Sequence, residues 1–254
     1  EQNEKITEQL WEWYELTKKK DRRAATTIYV NIKHVCETST NIQIKHLYGV
    51  MLFFYKLTFF SHRECKNLYE NLKETKQFFD QTTLYYFLKF ESIYYYYLND
   101  LNAAIQSLKQ AEKIYEKLDF VDNILFYNLS IYYRKTYQMY QSFLYIYKTI
   151  TEAQSALDFE MITRAQIVLA SNLIRVGEFK EAKKTLKKLK KSEHIQSNHF
   201  KSLIYHNLGI VYYKEKEYEE AIHYLLRSLE YQQDEYEKAD TYYVLSLIYD
   251  GLND

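Results

Sequence analysis

Residues 208–230 read LGIVYYKEKEYEEAIHYLLRSLE and contain the pattern that decides the fold. Leu208 and Gly209 set a large residue before a small one, Tyr212 follows three residues after the glycine, and Ala221 opens a second apolar run. Apolar residues that recur at intervals of three and four predict two helices joined by a short polar turn. The small residues would let the paired helices approach closely, while the large ones fill the gaps between them.

The same pattern recurs at a nearly constant interval. The small residue of the first helix falls at Ser92, Ser130, Ala170, Gly209 and Ser246, with intervals of 38, 40, 39 and 37 residues. Such a period is typical of tetratricopeptide-type (TPR) helical pairs, although it is longer than the usual repeat of about 34 residues. The sequence therefore predicts an all-α protein. Residues 1–80 would form an N-terminal helical bundle, and residues 81–254 a right-handed TPR-type solenoid whose last repeat is incomplete.

The composition agrees with an all-α fold. The 254 residues include no proline and four glycines, so the chain has few places for β-hairpin turns or glycine-rich phosphate loops. Lysine plus arginine and aspartate plus glutamate number 34 each, so no overall charge favours nucleic acid or an anionic membrane. No apolar run is long enough to span a membrane, and two cysteines are too few for a disulfide scaffold. We therefore expect a cytoplasmic protein without a membrane partner.

No motif for a metal or a cofactor is present. His62 and Cys65 lie one helical turn apart, but a zinc site needs two further ligands at a related spacing. The sequence has no nucleophile elbow, no Walker phosphate-binding loop and no pair of carboxylates in a catalytic motif. We therefore expect neither a metal nor a cofactor.

A basic stripe precedes the repeat quoted above and consists of Lys180, Lys183, Lys184, Lys187, Lys188 and Lys191. It could attract nucleic acid or an acidic partner. A solvated face is the favoured interpretation, because Glu215, Glu217, Glu219 and Glu220 of the next repeat could pair with it. Direct binding of nucleic acid is therefore not expected.

Three asparagines are candidates for binding a peptide. Asn207 lies two residues before Gly209, Asn128 occupies the same position in an earlier repeat, and Asn172 lies two residues after Ala170. The inner faces of stacked first helices form a concave groove, and an asparagine side chain can donate to and accept from a peptide backbone. The alternative is that each asparagine satisfies a neighbouring helix.

With the repeats placed, the pattern resembles the Rap family of Bacillus quorum-sensing regulators. The match begins at Glu12-Trp13-Tyr14 and runs without a gap to about Leu57, then continues through Tyr85-Tyr86, Ala170-Ser171-Asn172 and Asn207-Leu208. The resemblance implies a small N-terminal bundle that binds a response regulator, followed by a TPR array that binds a short signalling peptide.

The resemblance also implies roles for single residues. Family members of one kind dephosphorylate a response regulator with a glutamine that can orient water beside the aspartyl phosphate, and this glutamine matches Gln43. Others block the DNA-binding domain of a response regulator without chemistry. Both kinds are switched off by an imported peptide that is held by asparagines matching Asn172 and Asn207.

The surroundings of Gln43 depart from the family pattern. Family phosphatases carry acidic residues beside the glutamine, whereas Asn41-Ile42 precede it here, and two apolar positions after it are Lys45 and His46. Thr40 with Gln43 also fits a capping box, in which the glutamine side chain would bond back to the cap. Phosphatase activity is therefore an open question.

Arg175 lies in the predicted groove where the resemblance leads us to expect an acidic residue that favours basic peptides. This predicts an acidic or neutral peptide, because the groove would otherwise repel its ligand. The alternative functions are a non-enzymatic anti-activator, the sensory part of a peptide-responsive transcription factor, or a TPR scaffold.

Overall fold

The computed structural model describes residues 2–193, 195–232 and 235–253, and every regular element in that part of the chain is helical. The all-α prediction is confirmed. The α-helices are α1 (Gln2–Lys18), α2 (Arg22–Thr38), α3 (Ile42–Phe59), α4 (Lys66–Thr75), α5 (Gln81–Tyr97), α6 (Leu101–Tyr115), α7 (Asn123–Lys135), α8 (Met139–Ser155), α9 (Phe159–Arg175), α10 (Phe179–Lys190), α11 (Asn198–Lys214), α12 (Tyr218–Leu229) and α13 (Glu235–Asn253). Short 3₁₀ helices at His62–Cys65 and Lys76–Phe78 flank α4.

The chain divides into two compact units, residues 1–120 and 121–254. Helices α1 to α6 belong to the first unit and α7 to α13 to the second. The helical pair α5–α6, which carries the first copy of the repeat, therefore belongs to the first unit. The functional boundary at residue 80 stays a prediction, because compactness alone does not tell which helices bind a partner.

Aromatic rings fill the core of the first unit. Trp13 of α1 is fully buried, and its ring centroid lies 5.5 Å from that of Tyr29, 6.0 Å from that of Tyr48 and 5.2 Å from that of Tyr55. These partners come from α2 and α3, so one indole joins three helices. Ring pairs at such distances stabilise by about 0.5–1.5 kcal/mol beyond their burial.

Tyrosine hydroxyls also satisfy charged groups inside the first unit. Lys89 is 3% exposed, and its Nζ donates to the Tyr14 hydroxyl at 3.2 Å. Glu91 is 4% exposed and accepts from the Tyr69 hydroxyl at 3.0 Å and from Ser107 Oγ at 2.8 Å. Buried charges are tolerated when they are hydrogen-bonded, so the high tyrosine content serves the polar interior as well as the apolar one.

The second unit has the packing order of a TPR array. Helices α7, α9, α11 and α13 are the first helices of successive pairs, each packing against the next one, and α8, α10 and α12 are the second helices, each packing between two of them. At Gly209 of α11, an added Cβ would lie 2.6 Å from Leu225 Cγ of α12. Ser130 and Ser142 donate to each other's carbonyl across the α7–α8 pair, both at 2.9 Å. The small residues therefore set close helix crossings, as predicted.

Ser246, the small residue of the last copy, is exposed, and its hydroxyl donates to the Tyr243 carbonyl at 2.8 Å. Among the described residues, no second helix packs against it. The repeat pattern is thus present in the sequence of α13. In the described residues, however, Ser246 does not lie at a close helix crossing of the kind that requires a small residue.

The turns inside the helical pairs also repeat. One residue in each turn has a positive φ, namely Asn99 (61°), Tyr137 (61°), Gly177 (87°) and Lys216 (64°). In every case the next residue donates its N–H to the carbonyl five positions earlier, as in a Schellman motif. The chain therefore makes this turn at a fixed place in each pair, using a glycine only once.

Candidate functional sites

Gln43 lies in the first turn of α3, and its side chain takes no part in the cap. The cap residue is Asn41, whose Oδ1 accepts from the backbone N–H of Gln43 at 2.9 Å and of Ile44 at 3.4 Å. The capping box that begins at Thr40 was a wrong prediction, because the helix starts one residue later. Gln43 is exposed, and its side-chain amide has no hydrogen-bond partner in the described part of the chain.

Gln43 lines a cleft of about 470 Å³ in the first unit. Glu4 and Glu8 of α1 and Asp80, the cap of α5, line the same cleft. Carboxylates therefore lie around the glutamine although none precedes it directly in the sequence. Spacing along the chain could not reveal this, because the acidic groups come from two other helices.

His46 follows Gln43 by one turn and packs against Phe79, with ring centroids 4.9 Å apart. Burial lowers the pKa of the His46 imidazole, and the nearby Asp80 carboxylate acts in the opposite direction. Lys45 is exposed. These two departures from the family pattern therefore differ: Lys45 is available to a partner, whereas His46 belongs largely to the wall of the unit.

The asparagines lie on consecutive first helices of the second unit. Asn207 of α11 is 7% exposed, and its Nδ2 donates to the Leu203 carbonyl one turn earlier at 2.8 Å. Asn128 is half-buried on α7, at the matching position of its repeat. The Asn207 bond to its own helix leaves the side-chain oxygen as the group that could accept from a peptide.

Asn172 of α9 is placed differently from the other two. It is fully buried, and its Nδ2 donates to Ser142 Oγ of α8 at 2.8 Å, while its Oδ1 is buried without a partner in the described residues. This is the alternative named above, an asparagine that satisfies a neighbouring helix. Contact with a peptide stays a prediction for Asn172 and would require its side chain to leave this interface.

Arg175 is exposed at the end of α9, where its guanidinium carbon lies 5.2 Å from the ring centroid of Tyr137. The structure thus brings Arg175 and the three asparagines onto helices α7, α9 and α11, which are neighbours in the second unit. Their binding roles remain predictions.

Tyr127, Arg134 and Arg164 lie on two of the same helices, α7 and α9, and no motif in the sequence pointed to them. Arg134 Nη1 of α7 donates to Ser171 Oγ of α9 at 2.7 Å, and Arg164 Nη2 bonds to Glu160 Oε1 at 2.9 Å. The available signal was helical spacing, because Tyr127 and Arg134 are seven residues apart, as are Arg164 and Ser171.

The basic stripe of α10 pairs in part with the next repeat. Lys183 Nζ forms ion pairs with Glu215 and, at 3.3 Å, with Glu217, and lies 4.2 Å from the ring centroid of Tyr212. Lys190, which lies outside the stripe, donates from Nζ to the Tyr224 hydroxyl at 3.2 Å. For Lys183 the expected pairing with glutamates of the next repeat is confirmed.

The described ranges lack both a metal-binding cluster and a membrane-spanning helix. No cluster of three or more histidine, cysteine, aspartate or glutamate side chains could hold a metal ion there. Across the same ranges, none of the helices combines the length and apolar character needed to cross a bilayer.

Comparison with known proteins supports the repeat and the family resemblance. The tetratricopeptide repeat family matches residues 202–235, the segment with the clearest repeat. Response regulator aspartate phosphatase I of Bacillus subtilis (strain 168) is 28% identical over 228 residues, which are 85% of this chain and 58% of the relative. Transcriptional activator NprA of Geobacillus stearothermophilus is 26% identical over 227 residues, which are 86% of this chain and 55% of the relative. The chain thus spans little more than half the length of these relatives.

Solved structures with the same fold cover nearly the whole chain. The apo form of the quorum sensor NprR from B. thuringiensis has a TM-score of 0.87 at 18% identity, and the aligned region covers 100% of this chain and 73% of the NprR chain. NprR in complex with its cognate peptide NprX has a TM-score of 0.83 at 17% identity, over 98% of this chain and 74% of its own. The fold, the repeat and the similar sequences all agree with the resemblance of this chain to the Rap family of quorum-sensing regulators.

Proposed function

We propose that this protein is a cytoplasmic quorum-sensing regulator that holds a short imported peptide in the groove of its second unit and binds a response regulator through its N-terminal helices. The observation that carries the proposal is the placement of Asn128 and Asn207 at matching positions of α7 and α11, within a fold that NprR shares in its complex with NprX. Amides repeated along a groove can bond a peptide backbone whatever its side chains.

A cytoplasmic location fits the state of the two thiols. Cys36 and Cys65 are free and buried, and burial raises the pKa of each thiol to about 11. Thiols that stay protonated and covered are unreactive, as expected for cysteines that only fill a core.

The proposed peptide site is tested by calorimetric titration of five- to seven-residue peptides, acidic, basic and neutral, into the full chain. Micromolar binding by at least one peptide is expected, with at least tenfold loss in Asn207→Ala, because the variant removes the amide that accepts from the peptide. Asn71→Ala is the matched control, since Asn71 is an exposed asparagine on α4 of the first unit. Equal affinities of the wild type and Asn207→Ala would contradict the site.

We further propose that the cleft around Gln43 contacts the response regulator and that Gln43 orients the water that attacks its aspartyl phosphate. The side chain of Gln43 is exposed and has no hydrogen-bond partner among the described residues, which supports this role because it is free to reach a partner. The receiver domain would supply its own metal and charge stabilisation, so one positioned amide is the contribution required of this chain.

The test uses a panel of receiver domains phosphorylated with acetyl phosphate. The wild type is expected to accelerate phosphate release from at least one of them, and Gln43→Asn to reduce that acceleration at least tenfold, since the shorter amide cannot reach the same position. Gln77→Asn, a change of an exposed glutamine outside the cleft, serves as the control. Undiminished turnover by Gln43→Asn would exclude Gln43 as the catalytic residue.

A non-enzymatic regulator is the second candidate, and the similarity to Transcriptional activator NprA favours it. In that case the chain would bind a response regulator, or act within a transcription factor, without catalysing dephosphorylation. Binding of a receiver domain with no acceleration of phosphate release would decide for this candidate. A chain that responded to no peptide would instead be a scaffold.

A further inference from the structure

Two cationic side chains line the seam between α7 and α9 in the second unit. The side chains that meet along this seam recur at intervals of three and four residues, so each helix contributes one stripe. The stripes are Tyr127, Ile131 and Arg134 on α7 and Arg164, Val168 and Ser171 on α9.

The register of the seam is fixed at one end by the bond from Arg134 Nη1 to Ser171 Oγ at 2.7 Å. Helices α7 and α9 are separated by one antiparallel helix and so run in the same direction. Tyr127 precedes Arg134 by seven residues and Arg164 precedes Ser171 by seven, which is about 10.5 Å along each helix. Tyr127 and Arg164 therefore lie at the same height along the two helices, about 10 Å from the pair formed by Arg134 and Ser171.

Arg164 has a donor without an acceptor. Its Nη2 bonds to Glu160 Oε1 at 2.9 Å, but its Nε is buried and has no partner in the part of the chain that the structure describes. The Arg164 side chain as a whole is nevertheless 39% exposed and lines a pocket, so part of it is open to a ligand. A buried donor that lacks an acceptor is costly, and a carboxylate is the acceptor that best fits a guanidinium.

Tyr127 forms an apolar wall beside this guanidinium. It packs against the buried cluster of Ile146, Ala165 and Val168. Burial raises the pKa of the Tyr127 phenol, while Arg164 and Arg134 both act to lower it, so both cations lie within electrostatic reach of the ring. An apolar wall next to a cation lowers the local dielectric and strengthens its attraction for an anion.

Arg164 also lines a pocket of about 350 Å³ between the amino ends of α9 and α11. Its guanidinium carbon lies 5.7 Å from the ring centroid of Phe200, which also lines that pocket. The guanidinium thus lies between the α7–α9 seam and this pocket, which has room for a side chain of a bound peptide.

We infer that Arg164 and the Tyr127 hydroxyl form a carboxylate-binding subsite that selects acidic peptides. Arg134, about two helical turns further along the seam, adds positive charge. The inference rests on the proposed peptide-binding function and adds the chemical class of the ligand. The carboxylate would accept from Arg164 Nε and from the Tyr127 O–H, while Glu160 holds the other edge of the guanidinium in place. Its source is either an aspartate or glutamate side chain or the carboxyl terminus of the peptide.

The test is affinity selection of equimolar hexapeptides by the full chain, with bound peptides identified by mass spectrometry. One group carries an acidic side chain and an amidated terminus, a second is neutral with a free carboxyl terminus, and a third is neutral and amidated. We expect about tenfold enrichment of the first or the second group over the third, which is the effect of one charge-assisted hydrogen bond. Enrichment of the first group identifies a side chain as the source, and enrichment of the second identifies the carboxyl terminus.

In Arg164→Gln the preference for carboxylates is expected to disappear while retention of neutral amidated peptides persists, and Arg134→Gln is expected to weaken the preference less. Arg227→Gln is the matched control, because Arg227 lies on α12 and pairs with Glu230. Thermal unfolding confirms that each variant is folded. Equal retention of all three groups by the wild type, or an unchanged preference in Arg164→Gln, would overturn the subsite and leave the proposed function standing. Retention of no group by the wild type would overturn both.

Discussion

Two regions of this protein, one in each unit, fill the space between their helices in different ways. Around Trp13 in the first unit, large rings from three helices meet at 5.2–6.0 Å with interplanar angles of 24°, 25° and 44°. Around Gly209 in the second unit, the absence of a side chain lets Leu225 of the paired helix lie against the backbone. Packing around Trp13 depends on rings that fill wide gaps, and packing around Gly209 depends on two helices that leave no gap.

This difference explains where the repeat is visible in the sequence. A close helix crossing needs a small residue at one fixed place in each pair, so it leaves a periodic mark. Rings pack in several relative orientations, so an aromatic core imposes no fixed spacing. Residues 1–80 therefore show no clear repeat although they are helical in the same way.

The largest expected effect is in the aromatic core. Trp13→Ala should lower the free energy of unfolding of the first unit by about 3–5 kcal/mol, because it empties a fully buried site that joins three helices. Urea unfolding followed by circular dichroism measures the change. Trp11→Ala, at a half-buried position on the same helix, should cost less. Equal losses for the two variants would contradict a core centred on Trp13.

A single methyl group tests the close crossing in the second unit. Gly209→Ala places a Cβ 2.6 Å from Leu225 Cγ, so we expect a loss of about 1–3 kcal/mol in urea unfolding. Gly251→Ala is the matched control, because nothing lies within 4 Å of a Cβ added there in α13. That variant should be stabilised by about 0.5–1 kcal/mol through helix propensity. If both alanines stabilised the protein, the crossing would not depend on the glycine.

A turn residue offers a smaller effect of the opposite sign. Leu157, between α8 and α9, has a φ of 54° and is 71% exposed. Leu157→Gly should stabilise the second unit by about 1 kcal/mol, because a left-handed backbone costs a non-glycine residue about 1–2 kcal/mol. Leu157→Ala keeps the strain and should leave the thermal midpoint nearly unchanged. A lower midpoint for Leu157→Gly would show that the leucine side chain matters more than its backbone.

The smallest effect expected is a pH dependence to which one histidine contributes in the described part of each unit. Burial lowers the pKa of His206, which is opposed by the nearby Asp240, and burial likewise lowers that of His46. As the pH falls below about 6.5, the unfolded chain therefore binds more protons at these histidines than the folded chain does. The free energy of unfolding should then decrease from that pH downward.

The thermal midpoint measured from pH 7.5 to pH 5.5 tests this dependence. His206→Gln and His46→Gln should each flatten it, whereas His223→Gln, at an exposed position, should not. His206 Nδ1 lies 2.9 Å from Thr241 Oγ1, a contact that glutamine can replace. Equal slopes for all three variants would locate the pH dependence in other groups.

The fold could be predicted from the sequence further than the sites could. Ser130, Ala170 and Gly209 lie at helix crossings, as their spacing indicated. The same spacing could not predict that Ser246 is exposed. A small residue in the repeat pattern shows that a second helix could pack closely there, but not that such a helix is present.

The sites were harder to predict from the sequence, because they depend on residues that are distant in the chain. The carboxylates around Gln43 come from α1 and from the cap of α5, and the cap of α3 lies one residue later than expected. Asn172 was placed on the correct helix, but only the position of Ser142 reveals that its amide faces the neighbouring helix. Three-dimensional neighbours of this kind leave no fixed interval in a single sequence.

The central claim is that α7, α9 and α11 form the face that binds the peptide, and hydrogen–deuterium exchange tests it most directly. The probe is the peptide that titrates most tightly in the calorimetric panel, added to the full chain. We predict slower exchange in α7, α9 and α11 than in α8, α10 and α12, because a bound peptide stabilises the helices that it contacts. Protection confined to α8, α10 and α12, or to the first unit alone, would contradict the account.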